Sequence, residues 1–204
     1  MIFFTKILKI ASLLVIMILL NSCAYGYRTI NPKSLEYNSN ASDNGVYFEY
    51  KYDLLHKNYS KKEEKKDIRL VAVKVTNNSG RDLVFGSDIK LIYDDGTGLI
   101  LLDNEKTYRK LKQKPAIYLL YLPLALVNIN SFPVGLVIGP GLAGTNFIIA
   151  SSANKNFKEE LNKYWIKGKV IDNGETSFGL IGVRSDNYDV IKIRVEKNNK
   201  VVFH

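Results

Sequence analysis

Apolar and polar residues alternate along several stretches of the chain, which is the pattern of half-buried β-strands. From Val46 to Leu54, every second residue is apolar. In residues 70–76 the three valines alternate with positions that are also partly apolar, which indicates a strand buried on both faces. The remaining apolar runs bounded by turn residues are 89–93, 99–102, 176–183, 190–195 and 201–203, the last two forming a hairpin. The pattern therefore predicts about seven short antiparallel strands separated by turns.

A segment with a helical pattern and no charge separates the two groups of predicted strands. Residues 116–154 contain no Asp, Glu, Lys or Arg. We predict a short apolar helix over 117–127 and a longer helix over 142–164, joined as a hairpin. One stripe of the longer helix carries apolar residues at a spacing of four, namely Phe157, Leu161 and Trp165.

The uncharged stretch 116–154 is costly to leave in water, because exposed apolar surface is unfavourable by about 25 cal/mol per Å². We predict that the hairpin packs on the strands and buries side chains such as Leu120 and Ile148. The alternative is that part of the hairpin protrudes and contacts a membrane or a partner. Pro123 and Pro133 interrupt the stretch and argue against a clean transmembrane span, which needs about 20 uninterrupted apolar residues.

The beginning of the chain has the pattern of a secretory signal peptide. Lys6 and Lys9 precede an apolar run over 10–20, which is too short for a comfortable transmembrane helix. The run ends in Leu20-Asn21-Ser22-Cys23, which resembles the lipobox of bacterial lipoproteins. The resemblance implies that residues 1–22 are removed and that Cys23, the only cysteine, becomes the acylated N-terminus.

Together these patterns predict the fold class and the domain organisation. We expect a mainly β protein, an antiparallel immunoglobulin-like β-sandwich with an inserted apolar helical hairpin, preceded by a lipoprotein signal peptide. Residues 23–45 are polar and rich in turn residues, so we interpret them as a lipidated tether. The sandwich domain then spans 46–204, with the helical insertion at about 116–165.

Composition narrows the classes of chemistry that the chain can perform. One cysteine cannot close an internal disulfide, and two distant histidines, His56 and His204, leave little material for a metal or catalytic cluster. We therefore predict no enzyme activity, no metal and no cofactor. The 29 Lys and Arg against 20 Asp and Glu give a net charge of +9. Nucleic acid is nevertheless not the expected partner of a protein in the cell envelope.

A short basic cluster directly precedes the uncharged stretch and is the candidate contact site for lipid headgroups or a partner. It consists of Arg109, Lys110, Lys112 and Lys114. Anionic headgroups attract such a cluster by about 1 kcal/mol per cation close to the surface. The alternative interpretation is a solvated basic strand or turn.

Two further segments resemble those of a lipoprotein group. Val73-Lys74-Val75-Thr76-Asn77-Asn78-Ser79 and Asn173-Gly174-Glu175-Thr176-Ser177-Phe178-Gly179-Leu180-Ile181 are similar to strands of immunoglobulin-like domains in bacterial envelope proteins. With its glycine-rich apolar middle, the chain resembles uncharacterised lipoproteins of Gram-negative bacteria. Ala24 after Cys23, with no Asp nearby, implies sorting to the outer membrane, with periplasmic and surface orientations both open. The resemblance carries over no catalytic residue.

The expected function is that of a lipid-anchored bacterial envelope protein, a non-enzymatic interaction or structural module. Its expected partners are the membrane, through the acyl chains, and an envelope protein. The alternative is a carrier that holds an apolar ligand, such as a lipid, in an apolar cavity between the sandwich and the hairpin. A hydrolase would need convergent carboxylates or a nucleophile beside a base, and the sequence contains no such pattern.

Cys23→Ser tests the lipidation prediction. Because serine offers no thiol for acylation, we expect the variant to leave the membrane pellet or to remain unprocessed. Metabolic labelling with an alkynyl fatty acid should then mark only the wild-type protein. Equal labelling of the variant would contradict the prediction.

Overall fold

The computed structural model describes residues 24–126 and 134–196 and separates the chain into two compact units. We name them the apolar unit (described residues 24–26, 114–126 and 134–153) and the sheet unit (27–113 and 154–196). The signal peptide and Cys23 lie outside the described residues, so cleavage and acylation stay predictions. The predicted last strand over 201–203 lies outside them too.

The strands of the described chain all belong to the sheet unit and pair antiparallel. The four-stranded sheet has the order β1-β2-β3-β7, and two smaller ladders pair β4 with β6 and β5 with β8. The bounds are β1 Ser39–Asp43, β2 Val46–Lys51, β3 Ile68–Asn77, β4 Leu83–Val84, β5 Ile89–Ile92, β6 Val170–Ile171, β7 Thr176–Arg184 and β8 Lys192–Val195. The prediction of antiparallel sheets is confirmed.

Helices make the fold mixed α/β, which corrects the expectation of a mainly β protein. The helices are α1 (Asn58–Lys66), α2 (Asn104–Leu111) and α3 (Val134–Tyr164), with 3-10 helices at Pro32–Ser34 and Pro115–Leu126. The predicted apolar helix over 117–127 is therefore a 3-10 helix. The predicted longer helix ends where expected but begins earlier, since it continues through Pro140 at the loss of one backbone hydrogen bond.

Sequence patterns missed α1 and α2 because each helix buries very few side chains. Helix α1 buries Tyr59 and Glu63, and α2 buries Thr107 and Leu111, in each case four residues apart. A helix whose buried stripe has only two residues, one of them charged or polar, has a sequence pattern that cannot be distinguished from that of a loop. Arg109 and Lys110 of the basic cluster, for which a solvated strand or turn was the alternative interpretation, therefore lie in a short helix.

The main apolar core of the sheet unit lies on one face of the four-stranded sheet. It contains side chains from β2, β3 and β7 together with side chains from both ladders. Alternation along β3 sends Val71, Val73 and Val75 into this core and Leu70 and Ala72 to the opposite face, where they are also buried. Helix α1 contacts β3 and α2 contacts β7, so helices cover parts of the sheet.

Two glycines of β7 allow neighbouring segments to approach the sheet closely. A Cβ placed on Gly182 would lie 2.8 Å from Cγ2 of Thr107, and one on Gly179 would lie 2.4 Å from Cβ of Ile166. Next to Ile166, Trp165 follows the end of α3 and forms a parallel bridge with Leu180. The absence of side chains at these two glycines of β7 thus allows α2 and the segment after α3 to pack directly on the strand.

Part of the segment that we interpreted as a tether forms secondary structure. Strand β1 pairs with β2 through a turn in which Asn44 and Gly45 both have positive φ, as two-residue hairpins require. Upstream, Ile30 is buried and its N–H donates to Oε1 of Glu160 at 2.8 Å. The strand escaped prediction because β1 is polar, with its side chains half-buried or exposed in alternation.

Gly182→Ala should destabilise the sheet unit by about 1–3 kcal/mol, because the new methyl group would overlap Thr107. Gly98→Ala is the matched control, since no atom lies within 4 Å of the added Cβ there. Chemical denaturation measures both. Thr107→Ala in the Gly182→Ala background should recover part of the loss, and equal stabilities of the two alanine variants would refute the close approach.

Candidate functional site

The apolar unit has a small buried cluster of its own. Tyr118 and Tyr121 come from the second 3-10 helix, and Ala143 and Ala150 come from α3. Three residues complete one 3-10 turn, so the two tyrosines share one face, with ring centroids 6.1 Å apart. The alanines, two helical turns apart, present small side chains to the same cluster. Ala24 completes it.

Ala24 is held in this cluster by a buried side-chain amide. Its N–H donates to Oδ1 of Asn146 at 2.7 Å, and Nδ2 of Asn146 donates to the Leu142 carbonyl at 2.8 Å. Ala24 and Asn146 are both buried. Consecutive Cα atoms are about 3.8 Å apart, so the predicted lipidation residue, Cys23, is joined directly to a residue fixed in the apolar unit.

The outer face of the same unit is apolar and exposed, which overturns our prediction of burial. Leu120 is 72 % exposed and Ile148 is 67 % exposed. In the 3-10 helix one residue in three faces the cluster, so Leu120 faces outward. On α3, Ile148 lies away from the face that carries Ala143 and Ala150. We call the exposed large apolar residues of the second 3-10 helix and of α3 the apolar surface: Ile117, Leu119, Leu120, Leu122, Phe147 and Ile148.

The basic cluster predicted from the sequence is divided between the two units. Arg109 and Lys110 are exposed in the last turn of α2, where cations interact favourably with the helix dipole. The ammonium of Lys112 lies 5.3 Å from the ring centroid of Tyr108, and the Lys112 carbonyl accepts a hydrogen bond from Lys62. Lys114 is exposed and belongs to the apolar unit. A headgroup role for these cations stays a prediction.

Sequence reasoning missed that α1 adds to the basic character beside α2. The two helices are in contact. Glu63 is buried, so Glu64 is the exposed acid of α1 beside its exposed cations. The exposed cations of α1 are Lys61, Lys65 and Lys66.

A cavity in the sheet unit has a volume of about 370 Å³ and a lining that is largely polar. Its charged lining residues are Lys90 and Glu196, which contact each other at 2.7 Å, Lys167, which contacts Asp103 at 2.6 Å, and Arg194. Such a lining does not suit an apolar ligand. Among the residues that the structure describes, no group of three or more His, Cys, Asp or Glu is placed to hold a metal ion.

Comparisons of the chain with protein-family models, with curated proteins and with solved structures found no match. Within residues 24–126 and 134–196, no helix is both long enough and apolar enough to cross a bilayer.

Asn146→Leu should release Ala24 from the apolar unit. The substitution removes the acceptor of a buried N–H, which costs about 1–3 kcal/mol. Hydrogen exchange of the Ala24 amide should become faster, whereas Thr145→Ala, an exposed neighbour on the same helix, should leave it unchanged. Slow exchange in Asn146→Leu would show that the amide does not hold Ala24.

Proposed function

We propose that this protein is a lipid-anchored component of the bacterial cell envelope that acts as a non-enzymatic interaction or structural module. The acyl chains on Cys23 attach it to the membrane, and the apolar surface contacts the same membrane. We place it at the outer membrane, by resemblance to Gram-negative lipoproteins in the residue that follows Cys23.

The observation that carries this proposal is the position of Ala24. The residue that follows the lipidation cysteine is fixed by Asn146 in the unit that also exposes Leu120 and Ile148. Acyl chains on Cys23 would therefore start from the apolar unit rather than from the end of a long free tether. Exposed apolar patches of this kind mark sites that contact a membrane or a partner.

Energetics favour two membrane contacts acting together. A single acyl chain binds a bilayer only marginally, and stable anchoring needs a second contribution. Transfer of one Leu or Ile side chain from water to an apolar phase contributes about 1.5–3 kcal/mol when burial is complete. Several exposed apolar side chains therefore add appreciably to the membrane-binding free energy that the acyl chains provide. They also restrict rotation of the protein about its lipid anchor.

For the sheet unit we propose the finer fold of an immunoglobulin-like β-sandwich. One apolar core joins the four-stranded sheet to both ladders, as expected for two facing layers. In this interpretation α1, α2 and the end of α3 are additions to the sandwich. The sheet unit then serves as the module that meets an envelope partner.

Leu120→Asp and Ile148→Asp test the membrane contact. In a chain that starts at residue 23 and carries Cys23→Ser, each change should weaken binding to phosphatidylethanolamine–phosphatidylglycerol vesicles about tenfold. Thermal stability should change little, because both side chains are exposed. Vesicle flotation and thermal melting are the measurements.

Ile100→Asp is the matched control, since Ile100 is similarly exposed but belongs to the sheet unit. It should leave vesicle binding unchanged. Equal binding by all three variants would refute the membrane contact. Co-purification of a stoichiometric lipid with the unacylated chain would instead favour the carrier.

A further inference from the structure

Arg69, in strand β3, is a buried guanidinium whose donors are only partly used. The residue is 5 % exposed, and its Nη2 donates to the carbonyl of Asp186. Its Nε and Nη1 are buried and have no hydrogen-bond partner. Because a buried donor without an acceptor costs about 1–3 kcal/mol, and more for a charged group, this arrangement needs an acceptor.

The charge of Arg69 is not neutralised by a carboxylate in contact with it. Among the residues that the structure describes, none forms an ion pair with Arg69 within 4.0 Å. The nearby Glu63 is also buried, and its Oε1 accepts a hydrogen bond from the Leu70 N–H at 2.7 Å. Burial raises the pKa of Glu63 to about 7, against the opposing effects of the Leu70 N–H and Arg69.

One exposed tyrosine lies over the guanidinium. The Cζ atom of Arg69 is 4.6 Å from the ring centroid of Tyr188, which is 51 % exposed. The neighbouring Asp53 carboxylate raises the pKa of Tyr188. Tyr188 lies in the connection between β7 and β8, outside the strands, and its ring also contacts the Tyr52 ring edge-on, with centroids 5.4 Å apart.

Residues with positive φ flank the helix that carries Glu63. Asp53, Lys57 and Asp67 have φ values of 56°, 56° and 51°, in the left-handed region that non-glycine residues seldom adopt. These residues lie before and after α1, which carries Glu63. Strained backbone that persists beside a buried charge is a frequent feature of ligand sites.

We propose that Arg69 is the binding group of a site for a small oxyanion, a carboxylate or a sulfate- or phosphate-type group, which enters when Tyr188 swings aside. An oxyanion supplies the acceptors that Nε and Nη1 lack and the negative charge that balances the guanidinium. Arginine suits such ligands because its planar donors are fixed in direction and stay charged. This inference is independent of the membrane anchor.

Protonation of Glu63 sets the pH dependence of the site. The charged groups that act on Glu63 are Arg69 from β3, Asp53 from the preceding loop and Glu64 from its own helix. Below pH 7 the Glu63 carboxyl is neutral and no longer repels an anion, so binding tightens as the pH falls. Between pH 8 and pH 6 we expect the affinity to rise about tenfold.

The test is a titration of the chain from Cys23 onward, purified in detergent, with sodium sulfate or sodium acetate at constant ionic strength. Both anions keep their charge between pH 6 and pH 8. The Nε–H resonance of Arg69 should shift and saturate, whereas that of Arg81, whose Nη2 donates to the Glu196 carbonyl, should not. Saturation by acetate alone identifies a carboxylate site, and saturation by sulfate alone a site for sulfate- or phosphate-type groups.

Variants separate binding from a purely structural role. Glu63→Gln should retain binding and lose its pH dependence, and Arg69→Lys should weaken binding at least about tenfold. Arg81→Lys is the matched control and should bind as the wild type does. No saturable shift at Arg69, or identical shifts at Arg69 and Arg81, would overturn the proposal. A wild-type affinity equal at pH 6 and pH 8 would overturn the part assigned to Glu63.

Discussion

Strand β3 is buried on both of its faces, and the architecture of the sheet unit follows from that constraint. Val71, Val73 and Val75 need cover on one face, which the two ladders provide, while Leu70 and Ala72 need cover on the other. Burial beside the strand extends to Glu63 of α1, whose carboxyl receives the Leu70 N–H. A charged helix with few apolar residues is thereby held against the strand.

The strands were predictable because alternation at a period of two is independent of distant contacts. Strand β1 and helices α1 and α2 were not predictable, since their stability depends on contacts with other parts of the chain. Strand β1 depends on pairing with β2, and α2 depends on close approach to Gly182, which has no side chain. The apolar stretch was recognisable from its lack of charged residues. Which of its side chains face outward depends on the local helix geometry, which hydropathy does not encode. The Ala24–Asn146 hydrogen bond joins residues 122 positions apart, beyond any local pattern.

The two units divide the work that we propose for the protein. The apolar unit has a small cluster and an exposed apolar face, whose exposure to water is unfavourable. The membrane contact that we propose would remove that cost. The sheet unit contains the main core, the basic helices and the buried Arg69. In this proposal, membrane attachment depends on residues of the apolar unit and partner recognition on residues of the sheet unit. Substitutions can therefore alter one without altering the other.

The single tryptophan of the chain lies in the sheet unit, where Trp165 bridges to Leu180 directly after α3. The apolar unit contains tyrosines at 25, 118 and 121 but no tryptophan. Intrinsic fluorescence excited at a long wavelength, which selects tryptophan over tyrosine, therefore reports on the surroundings of Trp165 in the sheet unit.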